Sequence, residues 1–174
     1  MQLDSYKKVF SDYFDSETVK SDIQRSIELI RSGTRSIFFL GNGGSNSICS
    51  HMMEDFMKLA GFPTYSFSDA ALITCYANDF GYEKAMVEWL KVFYTENDLL
   101  IAISSSGESL NIINAVKYAK SKSGKVITLS GFKTENSLRK LGDINFHINV
   151  SSYGIVESYH QVILHIILDS LNDK

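Results

Sequence analysis

The sequence predicts an α/β protein: a three-layer αβα sandwich around a five-stranded, mainly parallel sheet, with additional helices at the N-terminus. Three observations predict it. Short continuous apolar runs recur along the chain, each stops at a polar or glycine-containing turn, and each is followed by a segment with helical spacing of its apolar residues. Strands buried on both faces by covering helices lose their polar alternation, which is why such runs imply parallel pairing. The 174 residues are expected to form one domain, 1–174, with N-terminal helices in 1–34 and the α/β core in 35–174.

In chain order, Val9, Phe10, Tyr13 and Phe14, then Val19, Ile23, Ile27 and Ile30, recur at spacings of three and four and predict two helices. Gly33 is placed to end the second. The first strand is Ser36-Ile-Phe-Phe-Leu40, stopping at Gly41-Asn-Gly-Gly-Ser45. A second spans Thr64 to Phe67, just after Pro63, the only proline. Asp98 to Ile103 is the third and stops at Ser104-Ser-Ser-Gly-Glu-Ser109. Lys125 to Leu129 is the fourth, stopping at Ser130-Gly131, and Asn145 to Val150 the fifth, with Phe146, Ile148 and Val150 alternating with polar neighbours. The last helix, about Val156 to Leu171, is apolar on most of its circumference and must be buried by the sheet or by another subunit.

Composition narrows the functional classes. Apolar residues at 44% and charged residues at 21% supply a full core and exclude global disorder. Seventeen basic against 20 acidic residues give a net charge of −3, which offers no basic face for nucleic acid or a membrane surface. Cys49 and Cys75 form no CxxC pair and are too few for a disulfide framework. No apolar run approaches the roughly 20 residues of a membrane span, and MQLDSYKKVF lacks the apolar stretch of a signal peptide. The expectation is a soluble protein of a reducing compartment.

In open α/β sheets ligands bind beyond the carboxyl ends of the strands, and those ends carry the unusual residues here. Asn42, Gly43, Gly44 and Ser45 lead from a strand into a helix whose N-terminus carries partial positive charge. Ser104, Ser105, Ser106 and Ser109 offer four hydroxyls at the start of another. Each turn alone also reads as ordinary glycine turning and serine capping; two at equivalent strand ends favour an anion site. The Gly-Lys-Ser/Thr of a Walker A loop and the third glycine of GxGxxG are both missing, so a compact phosphorylated metabolite fits better than a nucleotide.

His51 and Asp55, four apart on one helix, project to one face, and Glu157 and His165, eight apart on the last helix, lie within roughly 80° of each other. Together they would make a set of two histidines and two carboxylates suited to Zn²⁺ or a similar ion. The same spacings also fit a surface His–Asp pair and a core histidine. His160 is rotated well away from His165. Asn78-Asp79 reads equally as a helix end with an Asx turn.

Leu40-Gly-Asn-Gly-Gly-Ser45, His51-Met-Met-Glu-Asp55, Ser68-Asp69 through Cys75-Tyr-Ala-Asn-Asp-Phe-Gly81, and Ile103-Ser-Ser-Ser-Gly-Glu-Ser109 closely resemble the sugar isomerase (SIS) domain proteins, and within them the phosphoheptose isomerases. The resemblance covers roughly residues 36 to 171. It implies a flavodoxin-like SIS fold and an intramolecular oxidoreductase acting on a phosphorylated sugar. The reaction implied is conversion of sedoheptulose 7-phosphate to D-glycero-D-manno-heptose 7-phosphate through an enediol, toward lipopolysaccharide or surface glycans. A cytoplasmic homotetramer with one Zn²⁺ per subunit is implied as well. By the same resemblance substrate contacts fall on Asn42, Gly43, Gly44, Ser45, Asn78, Asp79, Ser104, Ser105, Ser106, Ser109 and Glu157. Metal positions fall on His51, Asp55, Glu157 and His165, the family's general base on Asp55 and its general acid on His165.

Two positions depart from the family pattern. Asp55 is one methylene shorter than the family's glutamate, and Glu157 stands where the family has a glutamine. The exchange suggests that Asp55 is chiefly a metal ligand and that Glu157 takes part or all of the base role. Glu108 replaces the usual asparagine of the phosphate loop and would repel phosphate if it pointed inward. The rival readings are an isomerase for another phosphosugar and a non-catalytic SIS protein that binds a protein partner. The latter resemble GNGTS and STRGNS where this chain has GNGGS and SSSGES.

Overall fold

The computed structural model describes residues 2–173. Helices α1 (Gln2–Phe14) and α2 (Glu17–Arg31) precede β1 (Ile37–Leu40), α3 (Gly44–Ala60), β2 (Thr64–Ser66), α4 (Ala70–Phe80), α5 (Tyr82–Phe93) and β3 (Leu99–Ser104). Then come α6 (Leu110–Ser121), β4 (Lys125–Gly131), a 3-10 turn at Leu138–Lys140, β5 (Ile144–Ile148) and α7 (Tyr153–Asn172). The sheet order is β2-β1-β3-β4-β5 and every pairing is parallel. Ile37 stands opposite Leu99, and Leu99 opposite Lys125.

Successive strand residues face opposite layers, so each strand feeds two cores. Ile37 and Phe39 pack with Ile30, Met52, Phe56, Ile163 and Leu164 under α2, α3 and α7. Phe38 and Leu40 pack with Trp89, Leu90, Ile112 and Val116 under α5 and α6. That is the expected three-layer sandwich. The apolar last helix is buried within its own chain: Val156, Tyr159, Ile163 and Leu164 are fully covered, with α2 and α3 packed along α7 and Tyr13 and Phe14 of α1 against Tyr159.

Some boundaries differ from expectation. β5 ends at Ile148, because the Val150 amide donates back to the Ile148 carbonyl at 2.8 Å and closes a turn. α7 starts three residues early, with Val156 N bonded to Ser152 O. The helix end anticipated at Asn78-Asp79 falls at Phe80, where Gly81 at φ 80° separates α4 from α5.

The chain leaves β1 toward β2 on one side of the sheet and takes up β3 on the other. The turns after β1 and β3 therefore flank the crevice where the winding reverses, the preferred ligand position of such sheets. Arg35 and Asp98 tie the starts of these two strands together. The buried Asp98 carboxylate accepts from Arg35 Nε (3.0 Å) and Nη2 (2.8 Å) and from Thr95 N (2.7 Å) and Oγ1 (2.9 Å).

Candidate active site

A cavity of about 250 Å³ opens at that crevice, lined by Asn42, Gly43, Gly44 and Ser45 after β1, by Ile103 to Ser106 and Ser109 after β3, and by Tyr153 and Glu157 of α7. Two strand ends and the first turn of the last helix thus meet where α3 and α6 begin. Gly43 holds φ 55°, ψ −124°, a conformation that side chains disfavour. It turns β1 abruptly into α3.

The serines form a cradle of donors. Ser104 Oγ donates to Ser109 Oγ at 3.1 Å and accepts from Gly107 N at 3.2 Å, while Ser106 Oγ accepts from Glu108 N at 3.2 Å. Ser105 Oγ is buried with no protein partner, an arrangement that costs free energy until something supplies one. Glu108 does not line the cavity. Its carboxylate accepts from Ser137 N (2.8 Å) and Oγ (2.7 Å), bonds that lower its pKa and keep it charged outside the cradle. The anticipated repulsion of phosphate is avoided by that anchorage.

Asn42 reaches the cavity edge but spends its amide on the opposite side, where it exchanges hydrogen bonds with Asn111 (2.8 and 3.0 Å) and accepts from Tyr82 Oη at 2.7 Å. Asn78 and Asp79 lie elsewhere, exposed on α4. Asn78 donates to Asp79 at 2.9 Å, and neither lines the cavity.

A second group of side chains lies along the same α3–α7 seam. Both helices begin at carboxyl ends of parallel strands and run in the same direction, so Gly44 faces Glu157 and, two turns on, His51 and Asp55 face His165. The ligand atoms of His51, Asp55 and His165 all fall within 4.8 Å of one another, the one such group of three among the described residues. His51 Nε2 is 3.1 Å from Asp55 Oδ2, and the two imidazole rings are 5.3 Å apart in edge-to-face contact. Two imidazoles and a carboxylate suit Zn²⁺ and comparable divalent ions.

Glu157, expected among these ligands, stands apart from them. It precedes His165 by eight residues, about 12 Å of helix, and its carboxylate lies against Gly44 in the cavity. Sequence reasoning passed over the residue that does join the group. Gln161, one turn before His165, has its amide nitrogen 2.9 Å from His165 Nε2 and 3.4 Å from His51 Nδ1. The i, i+4 rule that paired His51 with Asp55 also pairs Gln161 with His165.

His160 is fully buried and separate, as its helical angle requires. Its Nε2 lies 3.2 Å from Ser130 O, and Nδ1 has no partner. Burial pushes its pKa down to about 4; desolvation likewise takes His147, bonded to Ser130 Oγ, down to about 4.

Comparison with known proteins places these features in context. The SIS domain model matches residues 29–164. A phosphoheptose isomerase of Buchnera aphidicola subsp. Acyrthosiphon pisum is 31% identical over 176 residues, covering 96% of this chain and 91% of the relative. One of Fusobacterium nucleatum is 34% identical over 142 residues, covering 79% and 73%. Among solved structures, a phosphoheptose isomerase from Francisella tularensis superposes with a TM-score of 0.87 at 22% identity, covering 99% of this chain and 95% of that one. The phosphoheptose isomerase of Neisseria gonorrhoeae gives 0.85 at 20%, covering 98% and 95%.

Proposed function

The chain belongs to the SIS domain family, and within it we propose an isomerase that converts sedoheptulose 7-phosphate to D-glycero-D-manno-heptose 7-phosphate. The observation that carries this reading is the meeting of a serine-lined, cation-free anion cradle with the Glu157 carboxylate in one cavity. The named relatives support it.

The roles follow from the chemistry of each group. Ser104, Ser106, Ser109 and the unpartnered Ser105 hydroxyl hold the phosphate, with the N-termini of α3 and α6 adding favourable dipoles. Anchoring the phosphate converts binding energy into orientation at the far end of the sugar. Glu157 removes the proton from the carbon beside the carbonyl and returns it to the neighbouring carbon through a cis-enediol. His165 has two ring nitrogens, so one serves the metal group while the other moves the oxygen-bound proton; imidazole suits such transfers near neutral pH. His51, Asp55 and His165 fit a divalent cation, which we take to be Zn²⁺, because their donor atoms are already gathered and of the right kind. When bound, the ion supplies Lewis acidity to the substrate oxygens.

The same reading makes the enzyme a cytoplasmic homotetramer. Exposed Met57, Leu59, Tyr65, Val92 and Phe93 offer apolar surface for assembly, and no helix among the described residues is long and apolar enough to cross a membrane. Incubation with sedoheptulose 7-phosphate, with and without Zn²⁺, tests the reaction. NMR signals of the aldose product are expected, and their absence under both conditions would overturn the isomerase reading.

A further inference from the structure

We propose that Tyr153 is a substrate-contacting residue: its ring is the wall of the cavity mouth against which the carbon chain of the phosphosugar lies, and Phe132 positions it. This rests on the isomerase reading and adds two residues to which neither the sequence pattern nor the family resemblance gave a role.

The cavity is built almost wholly of polar and main-chain groups. Of the residues lining it, only Ile103 and Tyr153 are large and apolar, and Ile103 is fully buried in β3. Tyr153 is 62% exposed, so its ring stands at the mouth with a face still open to water. Glu157, one helical turn further along the same face of α7, is half-buried. A phosphosugar held by the serine turn presents the C–H groups of its carbon chain beyond the phosphate. An aromatic ring suits that surface, since its faces take the C–H groups out of water while the phenol hydroxyl stays free for a sugar oxygen.

The ring is held in place by a strained neighbour. Phe132 packs edge-to-face on Tyr153, with centroids 4.9 Å apart and planes at 78°. It does so from a left-handed main chain, φ 58°, which a bulky side chain rarely adopts. Strain of this kind persists only where the surroundings impose it, and it collects at functional sites. Here Phe132 N donates to Val150 O at 3.2 Å, and Gly131 N donates to Ser105 O at 3.0 Å. Gly131 admits the close fit: a β-carbon there would lie 2.7 Å from the Val156 methyl groups and 3.1 Å from Ser105 O. The end of β4 is thus wedged between the serine turn and the first turn of α7, and the next residue lays its ring against Tyr153. Tyr6 of α1 closes on the same turn, its hydroxyl 2.5 Å from where a Gly154 β-carbon would stand.

Steady-state kinetics of the full chain with sedoheptulose 7-phosphate, alongside inhibition by inorganic phosphate, tests the assignment. Tyr153→Ala is expected to raise KM about tenfold, the effect of leaving about 55 Å² of apolar surface in water, with kcat changed less than about threefold. The inhibition constant of inorganic phosphate, which fits the serine turn and has no carbon chain, is expected to stay near the parental value. Phe132→Leu removes the ring that backs Tyr153 and is expected to raise KM in the same direction; Phe132→Tyr is expected to recover most of that loss. A mere prop for the first turn of α7 would behave differently, because its loss would displace Glu157 and lower kcat and the melting temperature. Parental KM in the folded, active Tyr153→Ala protein overturns the role of Tyr153, as does a fall in kcat with KM unchanged or an equal weakening of inorganic phosphate. Light scattering on the same variant assigns Tyr153 to subunit contacts, and overturns the role, if the mass drops while KM is parental. Should Tyr153→Ala fail to fold, the Phe132→Leu and Phe132→Tyr pair decides by the same KM criterion. A parent chain that does not turn over the sugar removes the isomerase reading, and the role of Tyr153 with it.

Discussion

Glu157 and Gly44 are fitted to each other: a β-carbon on Gly44 would lie 2.6 Å from both carboxylate oxygens of Glu157. Glycine is what lets the carboxylate of α7 come down on the first turn of α3, where the helix dipole favours negative charge. Gly44→Ala is therefore expected to push the carboxylate aside with little loss of stability, since the flexible end of Glu157 gives way rather than the main chain. Misplacement of a reacting group by about an ångström costs about 100-fold, so kcat should fall by that order while the melting temperature barely moves. A variant of parental kcat would show that the close approach has no catalytic use.

Glu157 and Asp55 are expected to fail in different ways. Glu157→Gln keeps the shape of the cavity and should lower kcat by orders of magnitude with metal content unchanged, because the substitution removes the proton acceptor. Asp55→Asn should lose metal first, since Asp55 belongs to the His51–His165 group and does not line the cavity. Parallel kinetics and metal analysis separate the two. A fully active Glu157→Gln enzyme would return the base role to Asp55 despite its shorter reach.

The serine turn predicts a binding phenotype. Ser104→Ala and Ser109→Ala each remove a hydroxyl from the cradle, and a hydrogen bond to a charged group contributes about 1.5–3 kcal/mol. KM should rise by about ten- to a hundredfold with a smaller change in kcat. Unchanged constants in both variants would reduce these serines to helix capping.

Stability should weaken in mild acid through His160. Its folded pKa, about 4, lies below the usual histidine value, chiefly because burial disfavours the charged ring. The unfolded chain therefore takes up the proton first as pH falls, and stability present above about pH 6.5 is lost progressively toward pH 4 at up to about 1.4 kcal/mol per pH unit. Urea midpoints measured across that interval should fall with pH. His147, held near 4 by burial as well, contributes a slope over the same interval, so His160→Leu should reduce the slope by about half, and an unchanged slope would assign it to other groups.

The strands, the two N-terminal helices and the placement of the glycine and serine turns were legible in the sequence, because each is a local pattern. Continuous apolar runs announce buried parallel strands, and Gly41 to Ser45 and Ser104 to Ser109 announce the turns beyond them. Asn78-Asp79 was ambiguous in the sequence and is exposed on α4 in the structure. Asn42 was legible as a turn residue, but not its commitment to Asn111 and Tyr82, which lie 69 and 40 residues away. Glu108 was legible as an acid in an anion-binding turn. Only its partner, Ser137, 29 residues on, reveals that it is held outside the cradle.

By itself the sequence determined the layers of the sandwich, the chemistry available at its strand ends and the pairing of His51 with Asp55, since helical and strand periodicities depend on near neighbours. The tertiary structure decided which atoms meet. Glu157 and His165 share a helix face, yet two turns of rise separate them, and the packing of α7 along α3 sets one against Gly44 and the other against His51. The same packing brings Gln161 between the imidazoles. Side-chain angle around a helix can be read from spacing, but convergence on one point also depends on axial height and on the neighbouring helix, and those are fixed only when the two helices pack.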